Sequence, residues 1–448
     1  MRAISLLSLA SFAVATVPRA TYADVCLGKN IPNVDTWASI STREHICPKL
    51  TGNEGIEELN ITGPRDDPHA DVVRMHAFLE PPLPPPFALP MSKWVSTQRC
   101  VEQYCIHYNF GFASGRGIVA ITTAQNLQRL KALEKKWTAA AAAASKQKDG
   151  FPSTASYTIA AVEGKGLGLV AKKPISTGEV IMSLPPTILV HRTFFDHFPP
   201  SSVNPLLSTA VNFLPTPLAE AFLEQMPHFS GDKINSIMQT NSFQMDLGTK
   251  SAEGGHHYGN WPEVSRFNHD CRPNVAFHIE PKTLQHVTTV VRPVAAGEEL
   301  TISYLDQLDA TENRKLRALH AWGFDCSCAV CSGTPKQIKK SDKKVEEIKK
   351  IEEKLSGFTD RVDKKLLERL VKLYKEERLE SKSAGGLTLV ALNYNMLGDA
   401  KNAVKYAKLA EEAVLREFGE GNGDVEAMRE LAGDPKGHFT WRGRVGGR

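Results

Sequence analysis

The sequence predicts an α+β fold, and three observations carry that prediction. Short apolar runs punctuated by glycine occupy Tyr157 to Ala171, and strand-like runs resume from Val275. Between them, after Val190, the composition turns to Phe, Pro and Leu in helical stretches. From Lys336 onward the chain is helix-forming, with apolar residues at helical spacing. Strands interrupted by a helical insertion and followed by helices make a layered α+β arrangement. The length of 448 residues suits about three units of roughly 150 residues. Hydrophobic content of 42% with 23% charged residues excludes collagen-like, wholly disordered and polytopic membrane classes.

Residues 1–23 read as a signal peptide. Met1-Arg2 precedes an apolar run from Ile4 to Val17, and small residues follow around Thr21-Tyr22-Ala23, so cleavage is expected near Ala15 or Ala23. An uncleaved anchor or a misplaced start is the alternative. The run falls short of the about 20 apolar residues of a membrane span, and no later segment is apolar enough for one.

Residues 24–123 read as a disulfide-pinned region, irregular over 24–99. Cys26, Cys47, Cys100 and Cys105 lie downstream of the signal with a glycosylation sequon at Asn60-Ile61-Thr62, a pattern that suits an oxidising compartment. Four cysteines allow three pairings, and sequence does not choose among them. Cys100 and Cys105 can pair only if the turn between them brings their Cα atoms within about 7 Å. Pro81 to Pro86 form a stiff extended element with almost no backbone donors.

The β-like run Gly117 to Ile121 leads into Thr122-x-x-Gln125, a capping box expected to open a helix through Leu127, Leu130 and Leu133. Six alanines from Ala139 prolong it, and Lys146 to Thr154 form a linker, so residues 124–154 are a helix and linker. Residues 155–306 are the α+β domain. Strands are expected at Tyr157–Val162 and Leu167–Ala171, on either side of a Gly-rich turn. A helical insertion spans about 191–255, with helices at Ala219–Met226 and Ile234–Met245.

Residues 307–333 hold a cysteine cluster, and residues 334–448 a helical region. Val345, Ile348, Ile351 and Leu355 recur at helical spacing among mixed charges that form a solvated face. Leu397-Gly398-Asp399 separates two helical patterns. Ala403, Tyr406, Ala407 and Ala410 share a face of small residues suited to close packing, as in tetratricopeptide-type repeats. One such unit cannot bury both faces alone, so it is expected to pack on the preceding helices or domain. The Gly-rich end from Trp441 reads as a loose tail.

Net charge is +4; the stretch Lys336 to Ser383 carries +5 by itself, and the remainder about −1. That balance gives no strong nucleic-acid signal. Gly164-Lys165-Gly166-Leu167-Gly168 lacks the order of a dinucleotide fingerprint and runs into a β-like segment with Pro174. What it offers is a turn whose missing Cβ atoms let a ligand approach the backbone. Cys326-Ser327-Cys328-Ala329-Val330-Cys331 supplies three thiolates at metal-ligand spacing.

His269 alone would read as a core histidine, and Tyr304 as a packing residue at a strand end. Three motifs in order change that reading: Asn268-His269-x-Cys271-x-Pro273-Asn274, Gly297-Glu298-Glu299-Leu300-Thr301-Ile302-Ser303-Tyr304, and the cysteine run. Together they resemble a SET-domain lysine methyltransferase. The resemblance covers about Tyr157 to Ser332, and the order of SET domain, post-SET cysteine cluster and helical tail is SMYD-like. It implies a β-rich SET fold that binds S-adenosylmethionine.

Lys165, Gly166, Leu167 and Gly168 would contact that cofactor through the main chain, and Asn268 and His269 through side-chain and backbone groups. Phe324 would stack on the adenine. Tyr304 would lie beside the transferring methyl as the catalytic residue. Cys271 would join Cys326, Cys328 and Cys331 as the fourth ligand of a structural zinc ion.

The resemblance implies a protein substrate with a target lysine, a histone being the family's common association. In-line methyl transfer needs positioning more than a strong nucleophile. The lysine, with a free pKa near 10.4, must lose a proton first. No membrane partner is expected after signal cleavage, and the oligomeric state is not read. The N-terminus points to the secretory pathway or outside the cell, whereas the cofactor and thiolates suit the nucleus or cytoplasm. A rival reading is a non-catalytic interaction protein of the secretory pathway on a retained SET scaffold.

Overall fold

The computed structural model describes residues 93–144, 156–248, 254–357 and 362–444. The signal peptide, Cys26, Cys47, Asn60 and the Pro-rich element lie outside them. Among the described residues no helix is long and apolar enough to cross a membrane.

The chain enters as a hairpin of β1 (Val95–Val101) and β2 (Tyr104–Asn109), followed by the short α1 (Phe112–Gly115), β3 (Ile118–Thr122) and α2 (Ala124–Ala144). Cys100 sits opposite Cys105 in the hairpin register, their Cα atoms are 4.1 Å apart, and a disulfide joins them. The turn therefore meets the distance condition. The irregular reading of 24–99 does not hold from Val95, where β1 begins, whereas the β-like run at Gly117–Ile121 is β3. The first strand was hard to read because β1 is a polar, exposed edge.

Thr123, not Thr122, opens α2, its hydroxyl accepting from Asn126 N at 3.3 Å. Thr122 is unavailable as a cap because its hydroxyl is 2.7 Å from His257 Nε2. Leu127, Leu130 and Leu133 are buried as expected.

Four strands follow: β4 (Tyr157–Val162), β5 (Gly166–Ala171), β6 (Val180–Leu184) and β7 (Ile188–His191). The helical insertion comprises α3 (Arg192–His197), α4 (Pro200–Val211), α5 (Thr216–Leu223) and α6 (Lys233–Asn241). The helix expected to reach Met245 stops at Asn241, whose side-chain amide donates to Ile237 O and Met226 O. The next residues form the edge strand β8 (Ser242–Asp246).

Strands resume before Val275, with β9 (His256–Asn260) and the two-residue β10 (Asn268–His269) preceding β11 (Val275–Glu280), β12 (Gln285–Val290) and β13 (Glu299–Ile302). Three sheets result, ordered β1-β2-β3-β7-β9-β8, β10-β13-β5-β4 and β11-β12-β6. The first runs from the N-terminal hairpin into the strands that flank the insertion. One apolar core, including Leu169, Ile181, Trp261, Phe267, Val290 and Ile302, draws residues from all three. A second lies between the six-stranded sheet and the insertion helices.

After α7 (Thr311–Trp322) come α8 (Pro335–Ser356), α9 (Lys364–Glu376), α10 (Ala384–Met396), α11 (Ala400–Phe418) and α12 (Gly423–Gly433). Val345, Ile348, Ile351 and Leu355 form the buried stripe of α8, leaving its charges outward. The predicted small face of α11 is buried, and Tyr394 stacks on Tyr406 with centroids 5.3 Å apart. The end of the chain is not loose over its described residues. Arg442 N donates to Asn395 O and Arg444 N to Met396 O, both at 3.0 Å, satisfying carbonyls at the end of α10.

Candidate active site and metal centre

Tyr304 leaves the end of β13 beside β10, which pairs with β13 in parallel. Its backbone N donates to His269 Nδ1 at 3.0 Å, and its hydroxyl donates to Phe267 O at 2.6 Å. One three-residue segment therefore grips the tyrosine at both ends. Burial, then the charge of Glu299, raises its pKa above the usual phenol value, so the hydroxyl stays protonated at neutral pH.

The tyrosine borders an open cleft whose walls include Ser242, Phe243, Phe267, Phe277 and Trp322. Trp322 Nε1 donates to Thr240 O at 3.1 Å, which fixes the indole. The sequence reading assigned none of these wall residues. Phe243 was hidden because its segment read as helix.

The Gly-rich turn comes to the same place through the antiparallel pairing of β5 with β13. Gly166 has φ +77°, with open space where a Cβ would stand. A Cβ on Gly168 would lie 2.7 Å from Asn268 Nδ2, so glycine is what admits the amide. Asn268 Nδ2 donates to Glu299 Oε1 at 2.8 Å and Leu167 O at 3.3 Å. Lys165 Nζ pairs with Glu299 Oε2 at 2.7 Å.

Lys165, Gly168 and Asn268 thus meet at Glu299, and Leu167 O is held by the same Asn268 amide. Sequence reasoning missed that carboxylate, although it stands inside the second motif. His269 behaves differently from its neighbour. Its imidazole turns to Tyr304 N and to Cys271 Sγ at 3.3 Å, leaving its backbone for any cofactor contact. Phe324 is half-buried, its ring 5.8 Å from His269 and 6.3 Å from Tyr304.

Cys271, Cys326, Cys328 and Cys331 are all buried, with their sulfurs within 4.8 Å of one another. Cys271 Sγ lies 3.9 Å from Cys326 Sγ and 3.6 Å from Cys331 Sγ. A tetrahedron with metal–sulfur distances of about 2.3 Å has edges of about 3.8 Å, so the spacing fits zinc and exceeds a disulfide bond.

Two fully buried arginines flank the site. Arg314 Nε donates to Cys271 Sγ at 3.3 Å, with further bonds to Asp309 O and Thr311 Oγ1. Arg272 donates to Cys271 O at 2.8 Å and pairs with Glu377 at 3.2 Å. Cations beside sulfur favour the thiolate form that a metal needs. Arg314 belongs to no motif, so nothing in the sequence marked it.

Residues 166–305 match the family described as SET domain. The chain is 26% identical over 220 residues to a SET domain-containing protein of Acanthamoeba polyphaga mimivirus, covering 42% of this chain and 82% of that one. It is 30% identical over 184 residues to the histone-lysine N-methyltransferase set5 of Schizosaccharomyces pombe, covering 41% and 53%. Over 104 residues it is 34% identical to the histone-lysine N-methyltransferase SMYD3 of Mus musculus, covering 20% and 24%. The chain thus spans most of the viral relative, about half of the yeast enzyme and about a quarter of the mouse enzyme.

Proposed function

Because residues 166–305 carry a SET domain, we propose that this chain is an S-adenosylmethionine-dependent protein-lysine N-methyltransferase. The observation that carries the reading is the Tyr304 hydroxyl, protonated and held by Phe267 O, at the edge of an aromatic cleft. When bound, S-adenosylmethionine supplies an electrophilic methyl group on a sulfonium. Gly166 and Gly168, the main chain of Lys165 and Leu167, Asn268, the backbone of His269 and the ring of Phe324 would hold it. The paired charges of Lys165 and Glu299 match the two charges of its amino-acid end.

Phe243, Phe267, Phe277 and Trp322 give the cleft apolar walls, which solvate an ammonium ion poorly and so help an entering lysine lose its proton to solvent. Tyr304 then orients the neutral amine through its hydroxyl and does not act as a base. Zinc on Cys271, Cys326, Cys328 and Cys331 would tie the Asn268–His269 segment to the chain beyond Tyr304. The substrate class is a protein lysine, and histones enter as one candidate through the names of the yeast and mouse relatives.

Titrating the metal-replete protein with S-adenosylmethionine in a calorimeter tests the reading. Saturable binding is expected, and its absence would favour the non-catalytic interaction protein. For the compartment we propose the secretory pathway or outside the cell, a reading supported by the Cys100–Cys105 bridge. The alternative, nucleus or cytoplasm, is favoured by four thiols that must stay reduced to hold a metal.

A further inference from the structure

Building on Tyr304 as the catalytic hydroxyl, we propose that His269 is a positioning residue that couples the four-cysteine metal centre to Tyr304. The tautomer of His269 follows from its neighbours. Nδ1 accepts the Tyr304 N–H at 3.0 Å and so carries no proton. The ring proton therefore sits on Nε2, where it points at Cys271 Sγ, 3.3 Å away. The same sulfur receives Arg314 Nε at 3.3 Å, so two donors of different origin fix one metal ligand.

The imidazole is 5% exposed and touches the rings of Tyr304 and Phe324, at centroid distances of 5.3 and 5.8 Å. It has little room to turn without breaking both bonds. A displacement of Cys271 is thus passed through one rigid ring to the backbone of Tyr304, whose hydroxyl is anchored two residues upstream of His269, on Phe267 O. A metal held by these cysteines would thus bear on the reacting hydroxyl through position alone, by way of Cys271 and His269. Outer hydrogen bonds of this kind tune metal sites, typically by about 10–100-fold in affinity.

The test uses full-length, metal-loaded protein labelled with ¹⁵N-tyrosine, with the Tyr304 amide signal assigned by its loss in Tyr304→Phe. Replacing zinc by the larger cadmium ion is expected to move that signal in the wild type and to leave it unmoved in His269→Ala. Competition with a chelator is expected to give His269→Ala a zinc affinity about tenfold or more below wild type. His269→Asn keeps an acceptor near Nδ1 but cannot reach the sulfur. It should lose zinc affinity to the same degree and retain the wild-type exchange protection of the Tyr304 amide. If His269→Ala does not fold, His269→Asn supplies the zinc measurement and the cadmium comparison.

A Tyr304 signal indifferent to the metal exchange in the wild type, or zinc affinity within twofold of wild type in the variants, overturns the coupling. Neither readout needs methyl transfer. A protein that couples metal to Tyr304 but transfers no methyl group would count against the proposed activity alone.

Discussion

Glu299 organises the Gly-rich turn, because its two carboxylate oxygens hold different partners, Asn268 on one and Lys165 on the other. Replacing it by Gln keeps the shape and removes the charge, so the Lys165 ammonium loses its partner while the bond from Asn268 can persist. S-adenosylmethionine affinity in Glu299→Gln is expected to fall about tenfold, with little change in melting temperature since the site is partly exposed. Calorimetry checks this, and unaltered affinity would remove Glu299 from the cofactor site. At this scale the sequence was legible where a motif fixed the residue. The structure brings Asn268 beside the Gly-rich turn and near Tyr304, and it gathers the four cysteines into one cluster. Arg314 and Trp322 were not legible, since their roles depend on which distant segment α7 meets: Cys271 in one case and Thr240 in the other.

α10 begins without a side-chain cap of its own, and Glu417 of α11 supplies the missing acceptor, its Oε1 taking the Ala384 N–H at 2.8 Å. Burial pushes this carboxyl up to about 7, against the opposing pull of that N–H and of nearby Lys382. A folded-state pKa above the ordinary 4.5 means the folded protein binds the proton more tightly than the unfolded chain. The contribution of Glu417 is therefore full below about 4.5 and is lost as pH rises through about 7, a change of about 3 kcal/mol. Glu417→Gln cannot titrate, so its melting temperature should gain on wild type between pH 5 and pH 8. A constant or shrinking gap would contradict the assignment. Element identity was legible where one face is buried, as along α8 and α11, because apolar spacing there matches the helical period. It failed at β1 and β8, edge strands whose pattern is weak because pairing rather than burial defines them.

The whole molecule joins its parts by a few specific ties. Arg116 pairs with Glu263 at 2.7 Å, linking the start of β3 to the loop before β10, and Arg272 pairs with Glu377 at the end of α9. His278 of β11 donates to Arg416 O at 3.1 Å, fastening α11 to the three-stranded sheet. Such joins are not legible locally: the N-terminal hairpin enters a sheet completed by β7, β9 and β8, from Ile188 onward, which no local pattern announces. Native mass spectrometry tests the compartment. A chain shortened near Ala15 or Ala23, an oxidised Cys100–Cys105 pair and sugar on Asn60 are expected, and an intact Met1 with free thiols and bare Asn60 would return the protein to the cytosol or nucleus. The most direct test of the central claim is transfer of tritiated methyl groups from S-adenosylmethionine to core histones and total lysate protein by zinc-replete wild type and Tyr304→Phe. We predict lysine-bound label from wild type and at least about a hundredfold less from Tyr304→Phe, with cofactor affinity nearly unchanged and the fold retained, its melting temperature lowered modestly by loss of the bond to Phe267 O. No lysine-bound label from wild type, or equal label from both, would contradict it.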